Sequence, residues 1–385
     1  MFDSENKHLK FYTEHKIAPV KQVAALERIL NYRRSLYEPL GLHRLAIRGS
    51  DVLEVACGTG ENSLFVACQD PTSLTLLEPN PAAYERVKSL YAHLHGPHTP
   101  PEILQCRLED FFPERRYDIV ICENWLGSSS YDRELRRRLM ALGNQYSMLV
   151  VTAISPTGIL PNLLRRIISH RVTQGLLNRE ETQRLTDLWA PHLNSMTAMT
   201  RSHEDWVVDN MVNPAYLGIC VSPINILEQA VARYRLNATY PKFMTDLRWF
   251  KALPDYQPQT DLRIFSDQYL NTAHNFISVN LTASQSDKVL NERLESDCAS
   301  LFSSLALWEN STGDQKDLEW SGIVERLRRI TGLLSQIFPS GDSDAMGDCI
   351  SQAIAPALDL DAIKSCRYFS QWFGRETIYM SLTRR

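Results

Sequence analysis

The stretch "DVLEVACGTGENSLFVA", Asp51–Ala67, decides how this chain is read. It opens as an apolar run broken by a single acid, Glu54, the pattern of a strand buried on both faces. The run then gives way to Ala56, Cys57, Gly58, Thr59 and Gly60, and the stretch continues into the helical pattern "ENSLFVA". Glycines at such a bend let the backbone turn tightly and approach a ligand with no Cβ in the way. The helix start behind it offers unpaired N–H groups and a partial positive charge. The loop contains no lysine.

The pattern spreads outward from this stretch. Further strands are expected at "SLTLLE" (73–78), "EILQCRL" (102–108), "YDIVICE" (117–123) and "SMLVVTAI" (147–154). Helical patterns fall between several of them, among them "PAAYERVKSLYAHLH" and "YDRELRRRLMALGNQ". Strand–helix alternation implies right-handed crossovers and a mostly parallel sheet covered on both faces. Ahead of it, Val23, Leu26, Leu30 and Tyr37 recur at helical spacing, with Ile29 and Leu36 widening the stripe, and Pro39 and Gly41 end that helix. In an open parallel sheet, ligands bind beyond the carboxyl ends of the strands.

Bulk properties narrow the class. The chain has 385 residues, 44% hydrophobic and 22% charged, as an ordinary globular protein does. Its formal net charge of −4 argues against a whole-protein electrostatic grip on nucleic acid. The eight cysteines are scattered singly, with neither a CxxC nor a finger spacing, so reduced thiols are expected and no metal site. The N-terminus lacks the apolar core of a secretory signal and no long apolar run exists, which leads to the expectation of a cytoplasmic protein without membrane contact.

Three ligand classes compete for the first loop. A phosphate-gripping loop needs G-x-x-x-x-G-K-[ST], and this one has no lysine and the wrong spacing. A dinucleotide loop needs G-x-G-x-x-G/A, which from Gly58 places Ser63 at the third glycine position. The third class is S-adenosylmethionine, whose lack of phosphates fits the missing lysine. "LEVACGTGENS" resembles motif I of the class I S-adenosylmethionine-dependent methyltransferases, acid-x-G-x-G-x-G, with Glu54, Gly58 and Gly60 matching and Ala56 standing at the first glycine.

That resemblance implies a three-layer α/β sandwich built on a mostly parallel seven-stranded Rossmann-like sheet, with helical additions after the fifth strand and at the C-terminus. It also implies a set of cofactor-binding residues. Glu54, Ala56, Cys57, Gly58, Gly60 and Asn62 belong to the loop. Glu78, followed by Pro79, ends the second strand, where the family's acid accepts both ribose hydroxyls; two carboxylate oxygens suit two donors. Leu108, Glu109 and Asp110 follow the third strand, where the family holds adenine, although Arg107 replaces an acid often found there. "YDIVICENWLG" resembles motif IV and places Glu123, Asn124 and Trp125 at the mouth of the fourth strand. Tyr32 or Arg33 would touch the methionine carboxylate. Cys57 and Cys122 are read as small buried fillers.

Methyl transfer to nitrogen needs little beyond a neutral amine held in line, whereas a hydroxyl usually needs a general base. Glu123 is placed for that role by its motif. "RSHEDWVVDNMVNPAY" adds His203 and Asp205 as catalytic candidates, and Trp206, Asp209 and Asn210 join Asn124 and Trp125 as candidates for substrate contact. Ser202 and Asp205 also fit a helix capping box. His274 is a further candidate.

The expected organisation is an N-terminal helical segment (1–45), the cofactor-binding core (46–158), a mainly helical substrate-covering insertion (159–240), the last core strands (241–283) and a C-terminal helical region (284–385). Strands are expected at "TDLRWFKAL" and "HNFISVNLT" and after Gly374; "ENSTGDQKD" and "PSGDSDAMGD" read as loops. Motifs of amino-nitrogen adenine or glutamine methyltransferases and of cytosine-C5 enzymes are missing. The expected acceptor is therefore an O or N atom of a small polar molecule, with no nucleic-acid partner. A protein or polysaccharide acceptor, a non-catalytic cofactor-binding role and, at the level of class, a dehydrogenase stay open. The oligomeric state stays open too, a homodimer included.

Overall fold

The computed structural model describes residues 7–14, 25–127, 131–174, 178–245, 247–249, 251, 257–282 and 284–385. The chain divides into two compact units. One comprises Met1–Ala153, Val221–Gln268 and Ile378–Arg385; the other comprises Ile154–Cys220 and Tyr269–Thr377.

The first unit holds a seven-stranded sheet in the order β3-β2-β1-β4-β5-β7-β6. The strands are β1 (Asp51–Val55), β2 (Ser73–Leu77), β3 (Glu102–Leu104), β4 (Tyr117–Cys122), β5 (Gly143–Ile154), β6 (Tyr234–Tyr240) and β7 (Thr377–Arg384). β1 pairs in parallel with β2 and β4, β2 with β3, and β4 with β5; β6 and β7 pair antiparallel. The sheet is thus mixed with a mostly parallel core, and chain order reverses between β1 and β4, where a crevice opens at the carboxyl ends. Val52, Leu74, Leu76, Ile119, Ile121 and Val150 share one buried cluster with Leu36 and Tyr37 of the Leu26–Tyr37 helix. The alternate residues Leu53, Val55, Leu77, Val120, Leu149 and Val151 are buried as well. Burial of both sets explains why these strands read as unbroken apolar runs.

Several expectations are corrected. β3 stops at Leu104, and β5 begins at Gly143, earlier than the apolar run. The stretch "SPINILEQAVARYRL" (222–236), expected as helix, is helical only to Ala230, and Tyr234–Tyr240 is a strand of mixed burial. No strand forms among the described residues of 241–283; "HNFISVNLT" begins in a tight 3-10 turn at Ala273–Phe276 and goes on as turn and loop, while "TDLRWFKAL" falls partly outside the described residues. The strand after Gly374 is present as β7. "PSGDSDAMGD" is largely helix, Ser340–Ile354. Its small polar residues favour a helix start, and Met346, Cys349, Ile350 and Ala353 form the buried stripe that keeps the segment helical. Likewise "ENSTGDQKD" is helical from Gly313.

The second unit is helical. Its core gathers Leu160, Leu163, Leu164, Ile167 and Ile168 of the Pro156–Thr173 helix with Leu301, Phe302 and Leu305 of Lys288–Asn310 and Ile323, Leu327 and Ile330 of Gly313–Ile337. Arg166 is buried in a two-pronged ion pair with Glu309, both contacts at 2.7 Å. Arg165, fully buried, donates instead to the carbonyls of Phe369 and Trp372 at 2.8 and 3.0 Å. No described helix is long and apolar enough to cross a membrane.

Candidate cofactor-binding site

The bend after β1 requires left-handed backbone at three positions. Ala56, Gly58 and Gly60 have φ of 57°, 61° and 83°. At Gly60 the need is doubled, because a Cβ there would lie 2.3 Å from Val87 Cγ2. Ala56 adopts with a side chain the conformation that the first glycine of the motif otherwise supplies, at a cost of about 1–2 kcal/mol. The bend is tied to β2 by a bond from Cys57 N–H to the Leu77 carbonyl, 3.1 Å.

Glu78 ends up beneath the loop. Its Oε2 accepts from Gly58 N–H at 2.7 Å and its Oε1 from Asn80 N–H at 2.8 Å, so the carboxylate fixes the bend while each oxygen keeps a lone pair for another donor. Burial raises its pKa to about 7 against the pull of those two N–H groups. Asn80 caps the Pro81–Ala92 helix through Ala82 and Ala83.

A narrow cleft opens beside the bend. Ala56, Pro79, Leu108, Glu109 and Trp125 line it together with Leu9 of the Lys7–Glu14 helix. Glu109 is buried and its Oε2 has no hydrogen-bond partner. An orphaned buried acceptor costs about 1–3 kcal/mol unless a ligand donor meets it, and the exocyclic amine of an adenine is such a donor. Asp110, expected here as well, is largely exposed and paired with Arg107 at 2.9 Å, and it is Glu109 that faces the cleft. Trp125, expected at the substrate, lines this same cleft.

At the mouth of β4 lies a buried polar cluster. Arg33 Nη1 donates to Glu123 Oε2 at 2.7 Å, Arg33 Nε to Asn62 Oδ1 at 2.9 Å, and the Tyr37 hydroxyl to Glu123 Oε1 at 2.5 Å. Burial alone would lower the Arg33 pKa; the charge of Glu123, with Tyr37 and Tyr379, outweighs it and holds the guanidinium above its ordinary value. Burial and then the Glu123 charge raise Glu54 to about 7. Tyr32 is half exposed, so of the two N-terminal candidates it is Arg33 that joins the loop and β4. Asn124 takes φ of 52°, with its N–H on Thr152 Oγ1 at 2.7 Å, and turns the chain as β4 ends. Cys57 and Cys122 are buried with raised thiol pKa values, caused first by burial, as inert fillers are.

The geometry reassigns Glu123. Both its oxygens are bound, one to a guanidinium and one to a phenol, so it is a clamp between the Leu26–Tyr37 helix and β4 rather than a free base. The residues expected from "HEDWVVDN" lie on the helical unit. There Ser202 Oγ accepts from Asp205 N–H at 3.1 Å, supplying one half of the expected capping box. Trp206 is buried in the helical core, Asp209 pairs with Arg201 at 2.8 Å, and Asn210 Nδ2 binds the Trp206 carbonyl at 2.8 Å. Each of these contacts is accounted for by folding. The Lys7–Glu14 helix falls in the expected N-terminal helical segment, but Leu9 was not among the expected site residues; no motif marks it, and only the fold brings it to the cleft. Among the described residues no group of histidine, cysteine and carboxylate side chains could hold a metal.

The comparisons with known proteins bear on the same stretch of chain. Residues 52–142 match the family described as "Methyltransferase domain". No curated protein matches. Solved structures similar to this chain include a magnesium protoporphyrin IX methyltransferase from Synechocystis PCC 6803 with bound S-adenosylhomocysteine, at 13% identity over 64% of this chain and 95% of that one, with a TM-score of 0.37. An N-methyltransferase from Bradyrhizobium japonicum, also with S-adenosylhomocysteine, is 14% identical over 39% of this chain and 74% of that one, TM-score 0.31. The matched residues, 52–142, span β1 to β4, the parallel half of the sheet that carries the glycine bend.

The residues present fit S-adenosylmethionine. Glu78 keeps acceptor capacity, Glu109 offers an unmet acceptor, and the phosphate-free loop carries no cation. When bound, S-adenosylmethionine supplies an electrophilic methyl group on a sulfonium. The cleft has the bend's backbone on one side and Leu108, Pro79 and Trp125 along its wall, while Arg33 holds a positive charge between Asn62 and Glu123.

Proposed function

We propose that this protein transfers a methyl group from S-adenosylmethionine to an O or N atom of a small polar molecule. The observation that carries the reading is the buried, unpartnered Glu109 oxygen in a cleft shared with the bend after β1. With both Glu123 oxygens committed, the carboxylate that the motif sets at the β4 mouth is not free to act as a base. This favours an acceptor that needs none, such as a neutral amine. Glu54, Ala56, Gly58, Gly60, Glu78, Pro79, Leu108 and Glu109 are proposed to hold the cofactor, with Arg33 and Asn62 at its methionine end.

The test combines binding and transfer. Calorimetric titration with S-adenosylhomocysteine should show one site, lost or weakened in Glu78→Ala. Incubation with methyl-labelled S-adenosylmethionine and a mixed extract should then place the label in the small-molecule fraction. Label in protein or polysaccharide would favour a polymeric acceptor instead, and binding without turnover would favour a non-catalytic role.

A further inference from the structure

The helical unit holds a second cavity, of about 560 Å3, that plays no part in the reading above. Its volume falls in the range of small-molecule sites, roughly 300–1,000 Å3. His274, Ser284, Phe338, Asp342, Tyr368 and Trp372 are the lining residues that carry its chemistry.

The walls are cross-linked. Trp372 is buried and its indole N–H donates to the Ile277 carbonyl at 2.8 Å. Asn275 reaches across the Ser284 segment in both directions, donating to its carbonyl at 2.8 Å and accepting its N–H at 3.0 Å. His274 is 2% exposed. Its Nδ1 faces the Asn291 amide at 3.1 Å, and that amide also donates to the Leu270 carbonyl at 2.6 Å, which identifies it as the NH2 end. Nδ1 therefore accepts, Nε2 carries the proton, and it donates to Ser284 Oγ at 3.0 Å. The tautomer rules out Ser284 as an activated nucleophile, because the imidazole nitrogen facing it is already protonated. It leaves the serine hydroxyl hydrogen free to donate into the cavity.

The charge balance is one-sided. Among the described residues Asp342 is the sole lining carboxylate, and no lysine or arginine lines the cavity. No described residue pairs with the Asp342 carboxylate, whose field contributes, after burial, to raising the Tyr368 phenol. Arg375 lies nearby with its guanidinium spent on the carbonyls of Asn275, Ser278, Val279 and Leu281. Phe338 packs 5.9 Å from the His274 ring, and Tyr368 lies 6.0 Å from Trp372. A lone carboxylate among aromatic rings is the setting in which an organic ammonium binds, by charge pairing and by cation–π attraction.

We propose that this cavity binds a small organic ammonium ion, with Asp342 as counter-charge, Phe338, Tyr368 and Trp372 against its apolar body, and Ser284 donating to a polar substituent. The site belongs to the helical unit alone and does not depend on the reading of the sheet-bearing unit.

Tyramine, which carries an ammonium, a ring and a phenol oxygen, is a suitable probe, and 3-(4-hydroxyphenyl)propionate is its anionic counterpart. Calorimetry on the full chain at pH 7.5 should give saturable 1:1 binding of tyramine and none of the anion. Asp342→Asn should weaken tyramine at least tenfold. Thr282→Arg, at an exposed position of the cavity wall, should abolish binding and serves if the first variant does not fold. No saturable tyramine binding, equal binding of the anion, or an affinity unmoved by the folded variants would each overturn the proposal. Because S-adenosylhomocysteine binding is read separately, its loss or retention leaves this result untouched.

Discussion

Arg33 and Glu123 are ninety residues apart in sequence and 2.7 Å apart in space, both almost wholly buried. The pair joins the helix that precedes the sheet to the end of β4. Removing one partner strands the other charge in the interior, at a typical cost of about 3–5 kcal/mol. Arg33→Met and Glu123→Leu should each lower the denaturation midpoint strongly, whereas the two together should cost less than either single change. Urea melts of the four proteins test this; equal or additive losses would show that the two side chains do not act as a clamp.

Ala56 offers a substitution in the stabilising direction. Its φ of 57° is left-handed, so Ala56→Gly removes backbone strain of about 1–2 kcal/mol while adding about 0.4–1 kcal/mol of unfolded-chain entropy. A net gain of a few tenths to about 1 kcal/mol is expected in urea unfolding, with cofactor affinity kept. A clear loss of stability would mean that the methyl group packs usefully.

Gly60 should show the opposite. Its φ is 83° and a Cβ would press on Val87 in the Pro81–Ala92 helix. Gly60→Ala should cost about 1–3 kcal/mol, combining strain with overpacking. Gly60→Ala with Val87→Ala should recover the overpacking part but not the strain, which thermal melts of the pair can separate.

What could be read from the sequence follows from how the signals arise. Strands β1, β2 and β4 and the later part of β5 are buried on both faces or nearly so, and they read as apolar runs; the glycine bend was legible because only small residues tolerate its backbone. β6 was hidden because "YRLNATY" is half polar, with Arg235 and Asn237 exposed and a threonine, Thr239, at a buried position. The Ser340–Ile354 helix was hidden by a composition typical of loops, outweighed by tertiary burial of Met346 and Ile350. In the site, Glu78 and Glu109 lie next to strand ends and so could be placed by motif. The commitment of Glu123 to Arg33 and Tyr37 depends on a fold-level contact that no spacing encodes. Trp206 and Asn210 share a helical face in the sequence, yet Trp206 is spent on packing and the Asn210 amide on a backbone carbonyl.

The protonation of Glu78 gives a pH test. Its folded-state pKa, raised to about 7 by burial, exceeds the ordinary carboxylate value of 4.5. The folded chain thus binds more protons than the unfolded chain between those values. Stability from this group is fully present below about pH 4.5 and is lost as pH rises through 7. Ligand binding runs the other way: ribose hydroxyls need acceptors, and a protonated carboxyl offers fewer. Affinity for S-adenosylhomocysteine should therefore rise between pH 6 and 8 while the melting temperature without ligand falls. Glu54, at about 7 as well, adds to the stability slope. In Glu78→Gln the rise in affinity should flatten, and the affinity itself should drop by about 1.5–3 kcal/mol, the scale of hydrogen bonds to a charged group. If the affinity profile of Glu78→Gln keeps the wild-type slope, Glu78 does not contact the cofactor.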